Sequence, residues 1–156
     1  MMLRFPALLL LIALPAADRD LSGPVDRIHD GDSLRVAGAP IRLHGIDAPE
    51  LAQHCQDGAG RDYACGERAR DALVRLIGRQ AVRCLQRDTD RYGRVVAVCS
   101  VGGLDLNGEM VRLGWATAYR RYSEAYAPIE AAARAAGTGL WAGRFEMPAE
   151  WRKGRR

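Results

Sequence analysis

Residues 29–50 read H-D-G-D-S-L-R-V-A-G-A-P-I-R-L-H-G-I-D-A-P-E, two apolar-patterned pieces set between acidic turns. Two strand-like pieces, 33–36 and 41–46, are each bordered by carboxylates at a turn. Asp30, Gly31 and Asp32 precede the first piece; Asp47, Ala48, Pro49 and Glu50 follow the second. Within the second, Ile41, Leu43 and Gly45 alternate with Arg42 and His44, so its two faces differ in polarity. Three acidic oxygen donors (Asp32, Asp47 and Glu50) and one inward candidate cation, Arg42, therefore fall at strand ends, where the backbone is fixed and side chains reach solvent. Carboxylates suit hard metal ions, and arginine pairs with phosphate oxygens in bidentate fashion. Taken alone, either turn reads as structural: Asp-Gly as a hairpin turn, Ala-Pro-Glu as a strand stop.

Outward from this stretch, Pro24–His29 reads as a first strand. The segment from Leu51 to Tyr63 is polar and glycine-rich, a long loop that needs either a function or a staple. Ala69, Ala72, Leu73, Leu76 and Ile77 then recur at the spacing of one buried helix face, which predicts a helix over 67–77 stopped by Gly78. Strands at 80–86 and 94–100 follow, joined by D-T-D-R-Y-G. A short helix at 106–113 places Leu106, Met110 and Leu113 on one face. A last helix spans about 124–136; either Ser123 caps a kinked helix or Pro128 is its first residue. Leu140–Trp141 closes the core. Five short strands with helices after the third and fifth predict an α+β fold, a small five-stranded OB-type β-barrel with about three packed helices. No internal repeat or linker is visible.

The 156 residues fit one domain with a real core, and 27% charged residues with 48% hydrophobic ones exclude a disordered chain. The formal charge is +4, and Lys153 is the only lysine among 23 basic residues. Arginine in this excess is compatible with a polyanionic partner and equally with a codon preference. Residues 1–17 read as an export signal: Arg4, the apolar run 8–14, then small residues Ala16 and Ala17. That run is too short for a comfortable membrane span. A single OB-type domain is then expected over 18–145, with 146–156 a basic, frayed tail. Four cysteines after an export signal suggest two disulfides. Cys84 and Cys99 lie symmetrically about Arg91–Tyr92, the middle of the expected hairpin, which pairs them and leaves Cys55 with Cys65 to staple the long loop.

The motifs D-G-D-S at 30–33, I-R-L-H-G-I-D-A-P-E at 41–50 and D-R-Y-G-R at 90–94 occur in one order. Together they resemble the staphylococcal nuclease (thermonuclease) family over about residues 24–141. The resemblance implies the OB-type barrel and a calcium ion held by Asp32, Asp47 and the carbonyl of Ala48, where staphylococcal members carry threonine. It also implies Glu50 as the base beside an attacking water, with Arg42 and Arg94 gripping the scissile phosphate. Tyr119 or Tyr122 falls near the family's nucleotide-contacting tyrosines, although the local spacing differs. Asp30 and Asp90 read as turn residues, and His29 and His44 as surface or hydrogen-bonded ones. The implied protein is an exported, periplasmic or secreted monomer, a calcium-dependent nuclease acting on DNA and RNA with low sequence specificity. The alternative is a non-catalytic module of the same fold that binds nucleic acid or protein; the presence of Asp32, Arg42, Asp47, Glu50 and Arg94 together favours the enzyme.

Overall fold

The computed structural model describes residues 20–155, so the export signal expected at 1–17 lies outside the described residues. In chain order the strands are β1 (Asp20–Gly23), β2 (Val25–Ile28), β3 (Ser33–Val36), β4 (Ala39–Leu43), β5 (Ile46–Asp47), β6 (Cys55–Gln56), β7 (Asp62–Tyr63), β8 (Val82–Thr89), β9 (Val95–Val101), β10 (Leu104–Asp105) and β11 (Thr117–Ala118). The helices are α1 (Cys65–Ile77), α2 (Leu106–Arg112), α3 (Ala127–Ala136) and α4 (Pro148–Lys153), with a 3-10 turn at Gly139–Ala142.

Seven strands form one mixed sheet in the order β1–β8–β9–β4–β3–β2, with β10 added on β9. Its pairs are antiparallel except β4 with β9. The two ends of this order, β1 and β2, are separated in the chain by Pro24 alone, so the sheet has to curl back on itself. The short pairs β5–β11 and β6–β7 stand apart from it.

The register of the central hairpin follows from its turn. Ala37 and Gly38 both have positive φ, 47° and 80°, the backbone of a two-residue primed turn that matches strand twist. Asp26 accepts a hydrogen bond from the Gly38 N–H at 2.7 Å and fixes that turn. Leu34 then pairs with Ile41 and Ser33 with Arg42. Leu34, Val36, Ile41 and Leu43 enter the core, while Arg42 stands on the opposite face, half-buried. Ala69, Ala72, Leu73 and Ile77 of α1 are buried against the same core at the expected helical spacing, with Leu76 at its margin. Each large apolar side chain buried this way contributes roughly 1.5–3 kcal/mol.

The differences from expectation are local. The sheet has seven strands rather than five, and there are four helices rather than three. Strand β1 was not expected because D-L-S-G has one apolar residue; it forms by pairing with β8. The loop after Leu51 carries the small hairpin β6–β7. Helix α3 starts at Ala127 with Pro128 in its first turn, and Ser123 caps no helix: its Oγ accepts from the Ala125 N–H. Within the stretch 146–156, expected to fray, Pro148–Lys153 forms α4. No helix of the described residues is long and apolar enough to cross a membrane.

Both expected disulfides form. Cys84 and Cys99 are direct partners across β8 and β9, 4.0 Å apart at Cα, and Cys55–Cys65 closes the loop ahead of α1. The second bridge packs with Leu140, Tyr63, Trp115 and Phe145 into a separate small cluster. The 84–99 bridge closes a loop of 15 residues, so replacing both cysteines by alanine should cost about 3 kcal/mol in urea unfolding. A loss below about 1 kcal/mol would mean that the β8–β9 pairing alone holds this loop in the unfolded chain.

Candidate active site

Two turns meet at the open end of the central hairpin. Asp30 begins the first as an Asx turn, its Oδ1 accepting from the Asp32 N–H at 3.0 Å. Gly31 lies against the second turn: a Cβ here would stand 2.7 Å from that of Ala48 and 2.9 Å from that of Ala69, so the approach requires glycine. The contact is sealed by Asp32, whose Oδ2 accepts from the Ala48 N–H at 2.6 Å. Asp47 is set by β5, which pairs with β11; the Thr117 hydroxyl donates to its carbonyl at 3.1 Å.

Asp32 and Asp47 are thereby brought side by side, 5% and 2% exposed. Two like charges so enclosed need compensation, and Arg42 supplies it. Its NH1 lies 3.1 Å from Asp32 Oδ2 and donates to the carbonyls of Leu43 and Ile46, and its NH2 donates to Asp47 Oδ1 at 3.2 Å. Burial pushes the pKa of Asp47 up, opposed by its hydrogen bond with Arg152 and reinforced by the Asp32 charge. Burial, then the Asp32 charge, pushes Asp30 up to about 8.

Arg94 reaches the same face from the parallel neighbour. Arg42 lies opposite Val96 in the β4–β9 ladder, and Arg94, two residues earlier, points to the same side. Asp90 orders its turn as expected, accepting from the N–H groups of Tyr92 and Arg94 and from Arg94 Nε at 2.7 Å. Arg94 NH1 also donates to the Ser33 hydroxyl at 3.4 Å. These groups line a cleft of about 790 Å³ that also contains Glu50, Tyr119 and Tyr122. The two tyrosine rings pack edge to face, 5.0 Å apart. Tyr92, 68% exposed, projects at the same cleft with the Arg94 guanidinium 5.6 Å from its ring centre. His44 lines the cleft and burial lowers its pKa, while His29 is exposed outside it.

Sequence reasoning missed three contributors. Arg152 of α4 donates from NH1 to Asp47 Oδ1 at 2.9 Å and to Glu50 Oε1 at 3.0 Å, and from NH2 to Asp47 Oδ2 at 3.2 Å. Burial alone would lower its pKa; the hydrogen bonds to Asp47 and Glu50 outweigh that and raise it. Gln53, fully buried, accepts from the Glu50 N–H at 3.3 Å and donates to the Glu146 carbonyl at 2.8 Å. No sequence signal separates Arg152 from the other basic residues of the tail, or Gln53 from a loop glutamine. The third, Tyr92, was visible in D-R-Y-G-R, but its exposure was not.

The structure is thus an α+β protein whose curled mixed sheet carries a buried oxygen-donor pair at one end with arginines beside it at a cleft, groups whose chemistry suits a hard cation and phosphate oxygens. Comparison with known proteins places the chain more narrowly. Residues 40–143 match the family described as staphylococcal nuclease homologue, and the chain belongs to that family. It is 35% identical to the Micrococcal nuclease of Shigella flexneri, over 94% of this chain and 88% of that protein. An uncharacterized endonuclease of Haemophilus influenzae is 34% identical, over 94% and 82%, and Protein ParB of Escherichia coli 35% identical, over 94% and 88%.

The family implies a bound metal ion, and the donor set here fits a hard one. Asp32 Oδ1 accepts one hydrogen bond, from the Ser33 hydroxyl, and Asp47 Oδ2 accepts one, from Arg152. A carboxylate oxygen can accept two, so each residue keeps capacity for a cation. Among the described residues no group of three or more His, Cys, Asp or Glu side chains could hold a metal by itself. A shell on this pair would therefore draw on carbonyl or water oxygens, as calcium tolerates.

The raised pKa of Asp30 has a sign that can be measured in metal-free solution. The folded chain binds a proton here up to about pH 8, whereas the unfolded chain releases it near 3.8. Stability in chelator should therefore fall as pH rises through that window. Asp30→Asn should flatten this slope in thermal melts, because asparagine keeps the acceptor for the Asp32 N–H and removes the titration. An equal slope in the variant would assign the pH dependence to another group.

Proposed function

We propose that this chain is an exported nuclease that hydrolyses phosphodiester bonds of DNA and RNA with little sequence preference and depends on calcium. One observation carries the reading: Asp32, Arg42, Asp47, Glu50 and Arg94, from three separate motifs of the chain, converge at one end of the curled sheet. We read that sheet as the family's OB-type barrel, with the cleft on its outer face. Relatives named as nucleases or endonucleases support the same assignment. The protein acts as a monomer in the periplasm or outside the cell, its first 17 residues serving as the export signal; two disulfides agree with an oxidising compartment.

In this reading Asp32, Asp47 and the carbonyl of Ala48 hold the calcium ion. When bound, the ion supplies neutralisation of charge on the phosphoryl oxygens. Glu50 stands 3.0 Å from the Arg152 guanidinium at the mouth of the acidic pair and is one-third exposed, so water reaches it. There it takes or orients the proton of the attacking water. Arg42 and Arg94 approach one phosphate from adjacent strands. The contacts of Arg42 described above occupy NH1 and one hydrogen of NH2 and do not involve Nε. Guanidinium forks stabilise added charge in the transition state where a lysine ammonium cannot pair twice. Tyr92, Tyr119 and Tyr122 line the cleft, and stacking of the bases of an unpaired strand on such aromatic side chains is a contact indifferent to sequence.

The test is cleavage of denatured DNA by the mature protein. Chelator should abolish it, calcium restore it and magnesium restore it poorly, since the smaller ion demands a tighter octahedron. Glu50→Gln should lower turnover by roughly 10²–10⁴-fold while affinity for a nucleotide with a terminal phosphate survives. Full activity in chelator would end the calcium assignment, and unchanged turnover in Glu50→Gln would remove that residue from the mechanism.

A further inference from the structure

The family match ends at residue 143, and α4 begins only at Pro148. Arg152 of α4 nevertheless touches two acidic residues of the site, Asp47 and Glu50, with three hydrogen bonds of 2.9, 3.0 and 3.2 Å. We infer that Arg152 is a positioning residue of the site, holding the Glu50 side chain against the Asp47 carboxylate, and that α4 is thereby part of the reaction architecture. The inference rests on the nuclease reading given above.

Three observations carry it. First, the geometry is specific to a guanidinium. One fork takes both oxygens of Asp47 while NH1 also serves Glu50, a planar arrangement that an ammonium cannot reproduce. Second, α4 does not hang on this contact alone. The buried Gln53 amide accepts from the Glu50 N–H and donates to the Glu146 carbonyl, and the Gln53 N–H donates to the Glu50 carbonyl at 2.8 Å. The backbone of Glu50 and the entry to α4 are thus clamped by one residue, which fixes where Arg152 reaches. Third, the pair is not a loose surface contact: the side chain of Asp47 is 3% exposed and that of Arg152 31%. Other basic residues of the tail are engaged locally, Lys153 with Glu150 and Arg155 over the Trp151 ring.

The physical role follows from charge. Glu50 shares the Arg152 guanidinium with the Asp47 carboxylate, a like charge that would repel its side chain without that cation between them. Arg152 offsets that repulsion and selects one placement. Without it the Glu50 carboxylate spreads over several rotamers, while the phosphate-facing arginines stay where β4 and β9 hold them. The deficit should appear in turnover rather than in substrate affinity.

The experiment compares wild type, Arg152→Gln and Arg152→Lys on denatured DNA with calcium. Arg152→Gln should lose about tenfold to a hundredfold in kcat, with KM within about threefold of wild type. Arg152→Lys, which keeps the charge and one bond, should fall between. Methylguanidinium added to Arg152→Ala should recover part of the lost rate, which a purely structural defect would not allow. Amide exchange over 148–153 in metal-free protein should rise by about tenfold in Arg152→Gln while β8 and β9 stay protected, showing the contact in solution without any ion. A kcat within twofold of wild type would overturn the inference. So would a rise in KM at constant kcat, which would make Arg152 a substrate contact, or a rise in kcat, which would make it a competitor of the cation. Absence of cleavage by the wild type with any divalent ion would remove the nuclease reading and the inference with it; a silent Arg152→Gln in an active background removes the inference alone.

Discussion

The hydrogen bond from the Ala48 N–H to Asp32 joins two turns that would otherwise repel each other. At 2.6 Å it is a charge-assisted bond inside the protein, where such bonds are strong. It brings the carboxylates of Asp32 and Asp47 into one enclosed space, and the rest of the local design answers that placement. Gly31 removes the side chain that would hold the turns apart, Arg42 bridges both acids, and the Ser33 hydroxyl takes a remaining oxygen. Removing one partner from such a buried ionic group typically costs about 3–5 kcal/mol, because the charge left behind is uncompensated. The same residues that could hold a cation are therefore also those on which local stability depends.

The sheet supplies the alignment. The parallel pairing of β4 with β9 is the one place in the large sheet where strands run together, and it sets Arg42 and Arg94 on one face. Where β4 ends, the backbone would leave polar groups without partners, and buried Asn107 fills that gap. Its amide donates to the carbonyls of His44 and Ala97 and accepts from the Cys99 N–H. The Cys84–Cys99 bridge lies on the next rung, so β9 is held covalently on one side and by Asn107 on the other. A strand so fixed can position an arginine at its entry with little entropy left to lose.

The legible part of the chain is the part with local chemistry. Asp-Gly-Asp, Asp-Ala-Pro-Glu and the helical spacing of α1 each state their conformation within a few residues, and the structure forms them there. The cysteine pairing was legible because symmetry about a hairpin is a register statement. What was not legible lacks such a code. Two-residue strands such as β10 and β11 have no period to detect, and β1 exists only through its partner β8. Arg152 meets Asp47 across 105 residues of chain, and nothing near it in sequence distinguishes it from Lys153 or Arg155. In the site the turns could be read, but the third guanidinium could not.

The charges of the cleft are layered, and the layers act at different ranges. Buried Asp32 lines the cleft, and Arg42 pairs both with Asp32 and with Asp47 behind it. Its rim is basic and exposed, with Arg91, Arg121 and Lys153 at the opening. Exposed charges attract a polyanion over several ångströms, but salt screens them beyond about 10 Å at 0.1 M. The buried pair is screened far less and acts only on what touches it. The buried carboxylates and the exposed cations of the rim thus act over different ranges. Raising salt should then weaken attraction to the rim while leaving the buried carboxylates unchanged, because the two layers differ in burial rather than in kind.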